Sequence, residues 1–194
     1  EVIGFSTIIG GPQSQYEGFY GSDITKLRAL EDFDTTTLVV NDIALKIRSV
    51  AKIGNTYYET FAEAYAAAEA GDTITLLAPI VVNAGETLTL DKGVTITYTS
   101  NVAGEDMITN RGILVIDGTT LIYNNTDTTG SNVTVSTISC EPGSTLEVKS
   151  GTVKNDSANN SNSGNGSFAY AIDLLTNGSL GDVTATISGG EIIS

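Results

Sequence analysis

The chain is poor in residues that do acid–base, nucleophilic or metal chemistry. Its 194 residues include no histidine, one cysteine (Cys140) and three arginines, Arg28, Arg48 and Arg111. Histidine is the side chain that titrates unaided near neutral pH, and no Cys/His zinc set can form without it. Paired carboxylates could hydrolyse a glycoside, but no spacing among the 23 acids points to such a pair. Asp106 and Asp117 lie near Arg111 in sequence and read as ordinary solvated charge partners of it. The stretches NNTDTTG and NDSANNSNSGNG offer Asn, Asp and carbonyl oxygens, but not the order of a calcium loop. No phosphate-cradling glycine loop is present. We therefore expect no catalytic residue, no metal and no cofactor. Cys140, at the end of a strand-like run, reads as a small buried hydrophobe, because a reactive thiol needs a nearby base or cation.

One modification signal remains. Sequons of the form N-x-S/T fall at Asn124, Asn132, Asn155, Asn159, Asn165 and Asn177, and none precedes Asn124. In an exported protein these are candidate N-glycosylation sites. A segment this rich in Asn, Ser and Thr also generates such triplets by composition alone.

Charge narrows the partners. The net charge is −14, from 23 acids against 9 bases. A surface of that sign repels phosphate backbones and anionic lipid headgroups, so neither nucleic acid nor membrane insertion is expected. No apolar run is long enough to span a bilayer as a helix. The chain opens at Glu1 without a signal peptide, which fits a processed, exported protein and equally a trimmed piece of a longer one.

The elements that would position any site are mostly strands. Hydrophobic residues make up 40% and charged residues only 16%. β-Branched and Gly-rich composition of this kind describes many short strands joined by turns. TTTLVV reads as a strand, and ALKIRSVAKI alternates, with Leu45, Ile47 and Ile53 on one face. Gly54-Asn55 reads as a hairpin turn. Residues 59–70 then form an amphipathic helix. Thr60 and Glu63 have capping-box spacing, Phe61, Ala64, Tyr65 and Ala68 share a face, and Gly71 is placed to stop it.

From residue 73 a unit recurs: strand, polar corner, Gly, strand. It appears as TLTLDKGVTITY, ILVIDGTTLIYN, LEVKSGTVKN and ATISGGEIIS, with corner glycines Gly93, Gly118, Gly151 and Gly190. Gly93 and Gly118 are 25 positions apart. The later intervals are longer, and each holds an insertion, at 124–132 and 155–167. Repeats of this length with Gly corners indicate a parallel β-solenoid. Such a stack needs a cap on its apolar end, and the helix supplies one. The last repeat has none. Tyr98 and Tyr123 occupy equivalent positions and should stack as a ladder pair.

The segment AKIGNTYYETFAEAYAAAEAGDTITLL, residues 51–77, resembles the entry segment of pectate-lyase-like, right-handed β-helix domains of prokaryotic cell-surface, adhesin-like proteins. The resemblance implies an all-β, right-handed parallel β-helix with a short N-terminal capping α-helix over residues 51–194. Residues 1–50 would then be a β-rich N-terminal extension. It carries little about function, since such domains serve as stalks, glycan binders and carbohydrate enzymes. Asn125, Thr126 and Asp127 match one fragment of the polygalacturonase signature, but the Asp pair, Gly-His-Gly and Arg-x-Lys are missing. Turn chemistry accounts for the fragment.

The expectation is therefore a non-enzymatic, extracellular structural protein that self-assembles into a surface filament or layer. Its contacts would be the apolar tail (Val2, Ile3, Phe5, Ile8 and Ile9) and the last strand (Ile192 and Ile193). The alternative is a glycan- or host-binding adhesin module of a longer surface protein. A carbohydrate-active enzyme ranks last.

Overall fold

A computed structural model describes residues 37–40, 43–46, 49–126, 133–157, 168–175 and 181–194. The tail residues Val2 to Ile9, Asp127, and sequons Asn132, Asn159, Asn165 and Asn177 lie outside the described residues. Internal contacts divide the chain into two units, Glu1–Ser49 and Val50–Ser194. In the first, β1 (Thr37–Val40) and β2 (Ile43–Lys46) pair as an antiparallel hairpin, Thr37 opposite Lys46. The alternation in ALKIRSVAKI is thus not one strand. Its described parts fall in β2 and in β3 (Ala51–Ile53) of the second unit.

The second unit opens with the expected hairpin, β3 with β4 (Thr56–Tyr58), turning at Gly54 with φ of 57°. Helix α1 (Phe61–Ala67) follows. Its capping box is complete. The Glu63 N–H donates to Thr60 Oγ1 at 3.1 Å, and the Thr60 N–H donates to Glu63 Oε2 at 3.0 Å. Ala64 and Ala68 are buried, with Phe61 and Tyr65 packed half-buried beside them. The helix is shorter than its sequence pattern. Ala68 already has extended backbone, φ −70° and ψ 142°. Gly71 does not cap it, but sits in the following turn, where the Asp72 N–H donates to the Glu69 carbonyl.

Thirteen strands then run to the C-terminal segment: β5 (Thr73–Leu76), β6 (Ile80–Val82), β7 (Thr87–Leu90), β8 (Thr95–Ser100), β9 (Ile108–Asn110), β10 (Ile113–Ile116), β11 (Thr120–Asn125), β12 (Thr134–Cys140), β13 (Thr145–Val148), β14 (Thr152–Asn155), β15 (Phe168–Leu174), β16 (Thr184–Ile187) and β17 (Glu191–Ile193). Each of β5 to β14 pairs in parallel with the strand three places on, so successive strands visit three sheets in turn. The unit is all-β with parallel sheets apart from the opening hairpin and α1. Three consecutive strands, one per sheet, make a tier.

Register explains the sequence pattern. Inward positions stack as columns: Ile74, Ile96, Leu121 and Val153 in one, Leu90, Ile116 and Val148 in another. All seven are fully buried. Thr73, Thr95, Thr120 and Thr152 form an outward column. β-Branched side chains suit this pleated, half-buried surface. Tyr98 and Tyr123 are register partners, and their rings stack at 5.8 Å and 11°.

The four corner glycines all have positive φ, from 67° to 97°. At Gly151 a second demand applies, because a Cβ there would collide with the Thr119 carbonyl of the tier below. The insertions at 124–132 and 155–167 precede β12 and β15, which neighbour each other in one sheet. Both therefore enter at the same corner, and the ladder offset grows from 25 positions (Thr95 to Thr120) to 32 (Thr120 to Thr152).

Candidate functional site

The residues singled out for chemistry are placed in structural roles. Arg111 pairs with Glu141 at 2.9 Å, not with Asp106 or Asp117, and the pair is exposed. Asp117 instead accepts from Ser150 Oγ at 2.7 Å. Asn125 is buried in β11, where its amide nitrogen donates to the Val102 carbonyl and to Tyr123 Oη. It holds a strand end. Cys140 is fully buried, and burial pushes its thiol pKa up despite the Asn110 amide that donates to its sulfur at 3.8 Å, the opposite of an activated nucleophile. Among the described residues no cluster of three or more His, Cys, Asp or Glu gathers around a common point.

The sequons separate. Asn124 is half-buried on β11, opposite Thr99. Asn155 is 4% exposed, and its amide nitrogen donates to the carbonyls of Val135 (3.1 Å) and Tyr170 (2.8 Å). Its Oδ1 accepts from the Ser157 N–H at 2.9 Å. N-Glycosylation needs that amide nitrogen, and the fold commits it to the backbone. Asn155 is therefore not presented as an acceptor. A bare N-x-S/T pattern cannot separate such a corner asparagine from a loop one.

A polar hub lies at the loop before β9. Glu105 accepts from Tyr98 Oη at 2.7 Å and from Ser100 Oγ, while its backbone carbonyl accepts from Tyr123 Oη. Burial raises the pKa of both tyrosines, that of Tyr123 to about 12. They are fixed donors at neutral pH and tie the loop to the ladder.

The feature without an internal partner is the surface formed by β15, β16 and β17, the end strands of the three sheets. Ile116 and Val148 are fully buried, yet their column partner Ile187 on β16 is 55% exposed. Leu121 and Val153 are fully buried, and the next in that column, Ile192 on β17, is 40% exposed. Cys140 is buried, and its partner Leu174 on β15 is 44% exposed. Ile193 is exposed beside them. Ile187, Ile192 and Leu174 occupy inward columns with no tier above them within the described residues, while Ile193, partner of Lys154, lies on an outward column. As end strands of their sheets, β16 and β17 also present a row of N–H and C=O groups, a template for a further strand, while on β15 the Ala171 N–H is already taken by Ser194 Oγ at 2.8 Å.

The opposite end is stepped. β6 and β7 are end strands of their sheets, while the third sheet continues through β5 to β3 and β4. A groove of about 620 Å³ lies there, lined in part by Phe61 of α1, Ile80 of β6 and Leu88 of β7. No family model matches the chain, and no curated protein or solved structure matches it.

Proposed function

We propose that residues 51–194 form a right-handed parallel β-helix, and that the protein is a non-enzymatic structural subunit that associates end to end. The observation that carries the reading is the exposure of Ile187, Ile192 and Leu174 in columns buried in every tier below. Full burial of such a side chain is worth about 1.5–3 kcal/mol. Roughly half of each is open, so covering the three contributes on the order of 3 kcal/mol, before any new backbone pairing. A second copy supplies matching chemistry, because its own sheets are parallel ladders with the same spacing. An end-on contact between unlike surfaces propagates into a filament when its rotation does not close a ring. The apolar tail Val2, Ile3, Phe5, Ile8 and Ile9 is the other proposed contact, added as a strand to an open edge. The setting proposed is extracellular, on a cell surface. A charged fraction of only 16% and threonine-rich outer columns support that.

A second reading has its own observation. Phe168 and Tyr170 stand exposed on β15 with parallel rings, 6.2 Å apart and 2° from coplanar orientation. Such a pair suits a glycan or host protein, as in an adhesin module. Electron microscopy of the chain at several concentrations, beside a form lacking residues 1–10 and an Ile187→Lys form, separates the two. Filaments lost in both variants support the structural subunit. Monomers at every concentration, with retention on a glycan array, transfer the function to the second reading.

A further inference from the structure

The outer face of the sheet that contains β9, β12 and β15 carries a group of oxygens that contacts within the fold satisfy only in part. Inward on β12 lie Val135, Ile138 and Cys140, all buried. Thr137 also turns inward, its hydroxyl donating to the Lys154 carbonyl at 2.8 Å. Ser136 and Ser139 therefore turn away from the core, yet both are buried, at 0% and 3% exposed. What covers them is Asp106, in the loop before β9. Its Oδ1 accepts from the Ser136 N–H at 2.6 Å, and the Ser139 hydroxyl lies near enough to stabilise its charge. The Ser136 hydroxyl is beside the same carboxylate but makes no hydrogen bond. One strand further, Asp173 is the register partner of Ser139 and brings a second carboxylate to the group.

The electrostatics are unbalanced. Asp106 is half-buried, and Asp173 adds repulsion. Among the described residues neither carboxylate enters an ion pair; the pairs are Arg111–Glu141, Lys149–Glu147 and Lys154–Asp156. The Asp106 carboxylate is only partly compensated by the Ser136 N–H and the Ser139 hydroxyl, and the buried Ser136 hydroxyl carries a desolvation cost with no hydrogen bond to offset it.

We propose that Asp106, Asp173, Ser136 and Ser139 form a divalent-cation site that takes calcium. The donors are all hard oxygens, with no nitrogen or sulfur ligand, which excludes a preference for zinc or copper. Two carboxylates and two hydroxyls at irregular spacing suit the loose six- to eight-oxygen shell of calcium rather than the strict octahedron of magnesium. With only two charged ligands the site belongs to the weak class of extracellular modules, with Kd on the order of 10⁻⁴–10⁻³ M. Calcium there ties the loop before β9 to β12 and β15, locking three successive tiers along one sheet.

The test is thermal unfolding of the full chain, first stripped with chelator, in rising CaCl₂ at ionic strength held constant with NaCl. MgCl₂ runs in parallel. A saturable rise of several degrees is expected with calcium and a smaller one with magnesium. Asp173→Asn, on a half-buried position, should keep the fold and weaken calcium binding at least tenfold. Ser136→Ala removes the orphaned hydroxyl and should weaken binding severalfold without lowering the calcium-free midpoint. Equal shifts with both salts, or a calcium shift unchanged in Asp173→Asn, would overturn the site in favour of general charge screening. No calcium shift in the unsubstituted chain would overturn it outright.

Discussion

At the scale of single residues, glycine and a half-buried carboxylate give the sharpest expectations. Gly118 and Gly151 have nearly the same backbone, φ 89° and 97°. Only at Gly151 would a Cβ strike backbone, the Thr119 carbonyl; at Gly118 the nearest atom is Ser150 Oγ, 3.9 Å away. Gly118→Ala should therefore cost about 1 kcal/mol of backbone strain. Gly151→Ala adds a steric term and should cost about 2 kcal/mol more. Urea unfolding of the two variants checks the difference, and equal costs would mean the tiers can spread at that corner. Asp106 provides the pH prediction. Burial raises its pKa from 3.8 to about 6. The folded state therefore holds this proton more tightly than the unfolded chain does. Its contribution is fully present below about pH 4 and is lost as pH rises through 6. In chelator, Asp106→Asn should flatten the unprotonated-side decline between those values and match or exceed the parent at pH 7. A pH profile parallel to the parent would contradict this. None of it was legible in sequence, where Asp106 looked like a surface partner of Arg111. The burial of Ser136 and Ser139 beneath Asp106 depends on pairing across tiers, which no local pattern encodes.

At the scale of elements, local chemistry was readable wherever one stretch of chain decides the outcome. The Gly54 turn, the Thr60–Glu63 box and the corner glycines are such cases, and the structure places each as its chemistry requires. The helix end was misread for an instructive reason. Ala66 through Ala70 have high helix propensity, but only Ala68 of the second turn finds a buried seat. Packing therefore stops the helix before its glycine. Lys92 Nζ helps, donating to the Ala66 and Ala68 carbonyls at 2.8 and 3.1 Å and satisfying the frayed end. In so short a helix the cap matters. Thr60→Ala should destabilise the fold by about 1 kcal/mol, read as a lower urea midpoint with unchanged slope. A midpoint identical to the parent would show that tertiary packing alone holds α1.

At the scale of the molecule, the sequence carried the repeat but not its boundary conditions. The alternation of inward and outward residues in TLTL, ILVI and TLEV is continuous, so it predicts columns without saying which members are covered. Coordinates supply that: identical inward positions are buried in β10, β11, β13 and β14 and open in β16 and β17. Ile187→Lys should leave the monomer as stable as the parent, since the side chain is half in water already, while abolishing association. Sedimentation velocity reads both species. The most direct measurement of the central claim is amide hydrogen exchange of the 194-residue chain across a hundredfold range of concentration. End-to-end association predicts that amides of β15, β16 and β17 become slower to exchange as concentration rises, while those of β8 to β14 stay constant. Exchange at β15 to β17 that is independent of concentration would contradict it.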